Sequence, residues 1–242
     1  FDTLFDALQT TAQEKTVEEL SFPKEFRCFD APGSSRYAGR FLDYIAQERG
    51  FGDDALKVCE RYGLRYALTG EQAWRVVIPI HDDKGRLRNW TGRAIGEGVM
   101  LRYKNAVNSG KGLLFNEVLV RDLPWRPWSL FVVEGPWDCM KVDFYGHKFH
   151  CTSIAILGTS ITEEQLARIA LLGSVVDQIV ILMDPEAFNI NALIESSLSG
   201  VSPAAVVLGQ IPDGAEDPGA LTPKQVGALC NKYRTQDTKI SL

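Results

Sequence analysis

At 242 residues and 45% hydrophobic, the chain can bury one large core or two smaller ones; it has no apolar run near the ~20 residues of a membrane span and no signal-peptide pattern. Five scattered cysteines (Cys28, Cys59, Cys139, Cys151, Cys230) have no C-x-x-C spacing and only three histidines beside them. This argues for reduced thiols in a cytoplasmic setting and against zinc. The net charge of −5 argues at face value against a nucleic-acid partner, but it is uneven: residues 1–121 carry +1 and residues 122–242 carry −6.

In chain order, a start at Phe1 is expected of a fragment or processed chain, and residues 1–32 have helical spacing only at Leu4, Phe5 and Leu8. Their acids and prolines suit a surface arm. Ser34 or Ser35 then caps a helix with Tyr37, Phe41 and Ile45 on one face, ended by Gly50. A second helix starts near Asp53, buries Leu56, Cys59 and Tyr62, and stops at Gly63. From Trp74 to Ile95 the period falls to two. Val76, Ile78 and Ile80 alternate with Val77, Pro79 and His81, the turn is Asp82-Asp83-Lys84-Gly85, and Leu87 to Ile95 returns. Pro79 marks an edge or a bulge. Between Arg75 and Lys111 eight basic residues face three acidic ones, the footprint of a polyanionic partner or a solvated strand surface. Trp125 and Trp128, in LPWRPW, can stack on bases, but packing between two lobes is the ordinary reading.

The second half reads strand, helix, strand, helix, strand, helix, strand. The apolar runs are Ser129 to Val133, Ser153 to Leu157, Gln178 to Met183 and Ala204 to Leu208, and such runs indicate a parallel sheet buried on both faces. Helices are expected at Trp137 to Tyr145 behind Pro136, from a Thr162–Gln165 capping box to near Gly173, and from Ala187 to Leu198. Acids fall where the strands end: Glu134 with Asp138 a helical turn on, then Asp184 and Glu186, then Asp217. Ligands of parallel sheets bind beyond those ends. Gathered carboxylates repel, and hard divalent ions resolve the conflict. Acids in these places can also be ordinary caps and loop residues.

The segments EGPWDCMKV (134–142), ILGTSIT (156–162), IVILMDPEA (179–187) and IPDGAEDPGAL (211–221) resemble the TOPRIM domain of bacterial DnaG-type and bacteriophage primases. The resemblance implies an α/β fold, with a TOPRIM domain of central parallel sheet and flanking helices preceded by a mixed α+β primase subdomain. It implies that Glu134, Asp184, Glu186 and Asp217 organise Mg²⁺ or Mn²⁺ around an incoming nucleotide, with Asp138 completing the E-G-x-x-D pattern as a further metal ligand and Glu134, Asp184 and Glu186 catalytic. FLDYIAQERGFGDDALKVCERYGL (41–64), RVVIPIHDDKGRLRNWTGRAI (75–95) and RYKNAVNSGKGLLFN (102–116) resemble the upstream primase subdomain. They imply nucleic-acid or nucleotide contacts at Arg49, Arg93 and Lys111, with Arg102 and Lys104 competing for one further position. The implied partners are single-stranded DNA, ribonucleoside triphosphates and an RNA–DNA hybrid, with a replicative helicase reached through segments outside this chain, in the cytoplasm of a bacterial or phage-infected cell.

The domains expected are 1–121 (α+β subdomain), 122–221 (TOPRIM) and 222–242 (a helical tail). Glu186 and Gly219 stand where many relatives carry aspartates, and Phe188 replaces a common glycine; the acid pair and the D-P-G segment look more like phage versions. Two other readings compete, a TOPRIM nuclease or topoisomerase-like enzyme and a catalytically silent nucleic-acid-binding replication module.

Overall fold

The computed structural model describes residues 20–29, 36–96, 99–106, 112–184 and 188–234. The chain divides into two compact units between Val118 and Leu119.

The first unit carries an antiparallel sheet of five strands in sequence order: β1 (Phe26–Cys28), β2 (Arg65–Ala67), β3 (Arg75–His81), β4 (Leu87–Ala94) and β5 (Tyr103–Asn105). Period-two alternation makes β3 and β4 the long central pair, and Asp82 closes their turn. Its buried carboxylate accepts the Lys84 and Arg86 amides, both at 3.0 Å, and Arg86 Nε at 2.9 Å. Burial pushes this carboxyl up, but the Arg86 and Lys84 hydrogen bonds outweigh it and hold it below the usual carboxylate range. Asp82→Ala should therefore cost about 2–3 kcal/mol, read as a lower urea midpoint. Pro79 lies inside the sheet rather than on an outer strand. It is tolerated because β2 reaches only to Val77, and a register shift follows between Ile80 and His81.

Helix α1 (Ala38–Asp43) runs into a π-helical segment, Tyr44–Glu48, and α2 (Ala55–Arg61) follows a 3₁₀ turn at Gly52–Asp54. Phe41 and Ile45 are buried as expected, with Phe41 against Tyr66 and stacked on Trp74. Leu56 is a correction. It is 41% exposed, and Ala55, Val58 and Cys59 form the buried stripe, because the 3₁₀ turn delays the helix to Ala55 and shifts its inward face. The Ser34 and Ser35 caps and residues 1–19 of the expected surface arm lie outside the described residues; the arm reading is corrected at Phe26–Cys28, which pair with β2 in the sheet, with Phe26 and Phe29 buried.

The second unit begins within α3 (Glu117–Arg121) and is built on a parallel sheet in the order β7 (Cys151–Ala155), β6 (Ser129–Val133), β8 (Gln178–Ile181), β9 (Ala205–Leu208). β6 and β7 are buried throughout, whereas β9, at the edge, has Ala205 and Leu208 exposed and so is not covered on both faces. β7 starts two residues before the expected run. Its polar residues find buried partners: Thr152 donates to Asp143 on the helix Pro136–Gly146, and Ser153 to the Phe131 carbonyl at 2.9 Å.

The connecting helices are α4 (Pro136–Gly146), α5 (Glu163–Leu172) and α6 (Phe188–Leu198). Thr162 and Gln165 make the expected capping box: Thr162 Oγ1 accepts the Gln165 amide at 3.2 Å, and Gln165 Oε1 accepts the Thr162 amide at 3.0 Å. Beyond Leu221 the described residues include α7 (Pro223–Lys232), which packs on α4. The Tyr233 carbonyl past its end accepts Ser129 Oγ at 2.6 Å and Gln178 Nε2 at 3.1 Å, tying α7 to β6 and β8. Trp125 packs edge-on against His147 and His150, and Trp128 lies between His150 and Arg234. The tryptophans thus have packing partners within this unit.

Candidate active site and nucleic-acid interface

Chain order and strand order together locate the acidic site. From β6 the chain crosses to β7 on one side, then returns past β6 to β8 on the other. Right-handed crossovers put the helices of opposite-going connections on opposite faces, so a crevice opens at the carboxyl ends of β6 and β8. The register pairs Val132 with Ile181. Glu134 therefore lies two residues, and Asp184 three residues, beyond a matched pair on neighbouring strands, which run ~4.8 Å apart.

Glu134 is partly buried. Burial pushes its carboxyl above the usual range, and the charge of Asp184 pushes it further. Its carbonyl accepts the Leu157 amide at 3.0 Å, and Leu157 has φ of 65°, a left-handed conformation costly for a branched side chain. Asp138, in the first turn of α4, turns back so that Oδ2 accepts the Gly135 amide at 3.0 Å. Its carboxyl is pushed up to about 7, first by burial, then by Asp217, with Asp184 and Glu134 adding to it. Asp217 caps the 3₁₀ turn Pro218–Ala220, its Oδ1 accepting the Ala220 amide at 2.7 Å.

Gly219 explains how close these groups come. A Cβ there would lie 2.6 Å from Asp138 Oδ1 and 3.2 Å from Asp217 Oδ1. A side chain at this position would displace Asp138, so the glycine is what lets the carboxylate sit there. Glu134, Asp138, Asp184 and Asp217 thus share one electrostatic neighbourhood. Glu186 lies outside the described residues, and among the described residues no group of three His, Cys, Asp or Glu side chains is arranged to hold a metal ion. The donor set nonetheless fits a hard divalent cation, because its oxygens repel one another and Mg²⁺ takes only one or two carboxylates beside water and phosphate oxygens.

In the first unit the structure sorts the basic candidates. Arg93, on β4, faces Tyr103 across the ladder, with its guanidinium 4.7 Å from the ring centre. Arg93 Nε donates to the Tyr44 hydroxyl at 3.1 Å, and Arg49 donates to the same oxygen through Nε at 2.9 Å and Nη2 at 2.6 Å. The structure therefore brings Arg49 and Arg93 together. Lys104 pairs with Gly92, so alternation puts it on the other face of the sheet, where it meets Glu71 at 3.4 Å. Arg102 is exposed, and its carbonyl accepts Arg75 Nη1 at 3.2 Å. Arg75 is itself buried and bonded to the carbonyls of Gly92, Leu101 and Arg102. It braces the sheet rather than adding to a basic surface. Lys111 lies outside the described residues. Tyr44 was not among the sequence candidates. Its signal, a tyrosine five residues before an arginine, has no meaning on an α-helix.

No protein-family model matches the chain, and neither does any curated relative. Solved structures do. A DnaG primase catalytic domain bound to ssDNA superposes with TM-score 0.67 at 19% identity, covering 95% of this chain and 77% of that one. The E. coli primase catalytic core gives 0.64 at 22% identity, covering 84% and 74%. The primase fragment of the bacteriophage T7 primase-helicase gives 0.51 at 18% identity, covering 68% and 64%. With its antiparallel sheet followed by a parallel one, and acids at the switch point of the second, this chain has the TOPRIM-containing fold of the DnaG-type primase catalytic core.

Proposed function

We propose that the chain is a primase-like RNA polymerase of phage type, which makes short RNA primers on single-stranded DNA by metal-dependent nucleotidyl transfer. The observation that carries this reading is the meeting of Glu134 and Asp184 at the β6/β8 switch point, with Asp138 and Asp217 beside them, in a fold shared with primase cores. Glu134, Asp184 and Asp217, with Glu186, would hold Mg²⁺ or Mn²⁺. The bound ion would supply charge neutralisation at the triphosphate and the reacting oxygens. Asp138 holds the Gly135 turn and so fixes Glu134 beside Asp184.

In the reaction the 3′-hydroxyl of a bound nucleotide attacks the α-phosphorus of the next. The new O–P bond forms as the α–β bond breaks, pyrophosphate leaves and the hydroxyl proton is lost. The chain's part is positioning and electrostatics, with no protein nucleophile. Arg49, Arg93 and Lys111 would hold phosphates of the template or of the RNA–DNA hybrid without reading bases. Arg102 or Lys104 would add a contact elsewhere. The acid pair and the D-P-G segment support the phage assignment. A replicative helicase would couple through other segments, in the cytoplasm of a bacterial or infected cell.

The test incubates the chain with single-stranded DNA, labelled ribonucleoside triphosphates and Mn²⁺ or Mg²⁺. New oligonucleotides are expected. Shortened DNA would point instead to a TOPRIM nuclease, and unchanged DNA with retained binding to a silent binding module.

A further inference from the structure

Tyr44 and Arg49 are five residues apart, which on an α-helix sets them about 140° apart around the axis. Here the backbone closes differently, the Arg49 amide donating to the Tyr44 carbonyl at 3.1 Å in a π turn. Closing i to i+5 brings residues five apart onto nearly the same side. The Arg49 guanidinium consequently lies over the Tyr44 ring, 5.3 Å from its centre, with two N–H groups on the hydroxyl. Arg93 reaches the same oxygen from β4 at 3.1 Å. Three donors from two cations thus meet one neutral oxygen with about two lone pairs. Two guanidinium forks drawn to one point suit an anion with several oxygens, and a phosphodiester matches their planar geometry.

We propose that Tyr44 is a positioning residue which gathers Arg49 and Arg93 into one receptor for a single backbone phosphate of single-stranded DNA. This inference rests on the nucleic-acid role given to the two arginines above. Without the hydroxyl, both guanidiniums keep their charge but lose the common anchor that aims them at one point. The cost is then orientational, and it is shared with the arginines rather than added to theirs.

A double-mutant cycle on the whole chain tests this, using binding of a fluorescein-labelled oligothymidylate read by anisotropy at several KCl concentrations. Arg49→Ala and Arg93→Ala should each weaken binding about tenfold. Tyr44→Phe, which keeps the ring, should weaken it about fivefold. In Tyr44→Phe/Arg93→Ala the loss should stay within about twofold of Arg93→Ala alone, since both changes break one unit. The slope of log affinity against log salt should fall by about 0.7 in Arg93→Ala and by less in Tyr44→Phe, which removes no charge. The thermal midpoint of Tyr44→Phe should match that of the unmodified chain. Additive losses, or unchanged binding in Tyr44→Phe while the arginine variants bind weakly, would overturn the inference alone. Unchanged binding in both arginine variants would overturn the nucleic-acid role beneath it as well.

Discussion

Glu134→Gln should lower primer synthesis by roughly a thousandfold at saturating Mg²⁺, because neutralising charge at the reacting phosphate is worth several kcal/mol and each 1.36 kcal/mol is about a tenfold change in rate. Asp184→Asn should do the same, since the two side chains leave adjacent strands and feel each other's charge. The double variant should be little worse than either single one, as groups acting as a unit are strongly non-additive. Incorporation of labelled nucleotide is the readout. Fold is checked by the unfolding transition, which for Glu134→Gln should move up slightly, because burial and Asp184 already disfavour the charged form. Full synthesis by folded Glu134→Gln would remove Glu134 from the reaction.

In protein held free of divalent ions with a chelator, stability should fall as pH rises from about 4 towards about 7. Asp138 has a folded-state pKa of about 7 against its ordinary 3.8. The folded chain therefore keeps this proton longer than the unfolded chain does. Its contribution is fully present below about 4 and is lost as pH rises through about 7, by about 2–4 kcal/mol. Glu134 is shifted in the same direction. Asp82 is shifted the other way, and its contribution fades as pH falls. The Asp138 effect is isolated by subtracting the Asp138→Asn profile, measured by urea unfolding at each pH. The difference should favour the asparagine variant above pH ~7 and vanish near pH ~4, and Mg²⁺ should shrink it at high pH. A difference that stays flat across this range would show that Asp138 titrates like an ordinary aspartate.

The strands and helices carrying Glu134, Asp138 and Asp184 were legible because each has a strong local cause: the unbroken run SLFVV, proline at the start of α4, and the unbroken run QIVILM. The Asp82 turn was legible for the same reason. The misreadings share a different one. Leu56 was placed inward by a period counted from Asp53, and Cys151 and Thr152 were left out of a strand counted from Ser153. In each case partners distant in sequence, or a change of helical type, decided the outcome. The same holds within the candidate sites. The ordered acids could be read one by one, but Gly219 looked like a lost ligand until its closeness to Asp138 was visible. Arg93 and Lys104 looked like one basic surface until strand register put them on opposite faces.

The π turn at Tyr44–Glu48 also bears on how chains of this kind diverge. A segment wound this way accommodates one residue more than an α-helix of equal rise, so loss of a solvent-facing residue such as Gln47 would let it relax to ordinary winding. Phe41, upstream, would keep its seat in the core, while the residue bearing the guanidinium would swing out of reach of the phenol. An insertion or deletion here is therefore a means of moving one arginine relative to the other without rebuilding the domain.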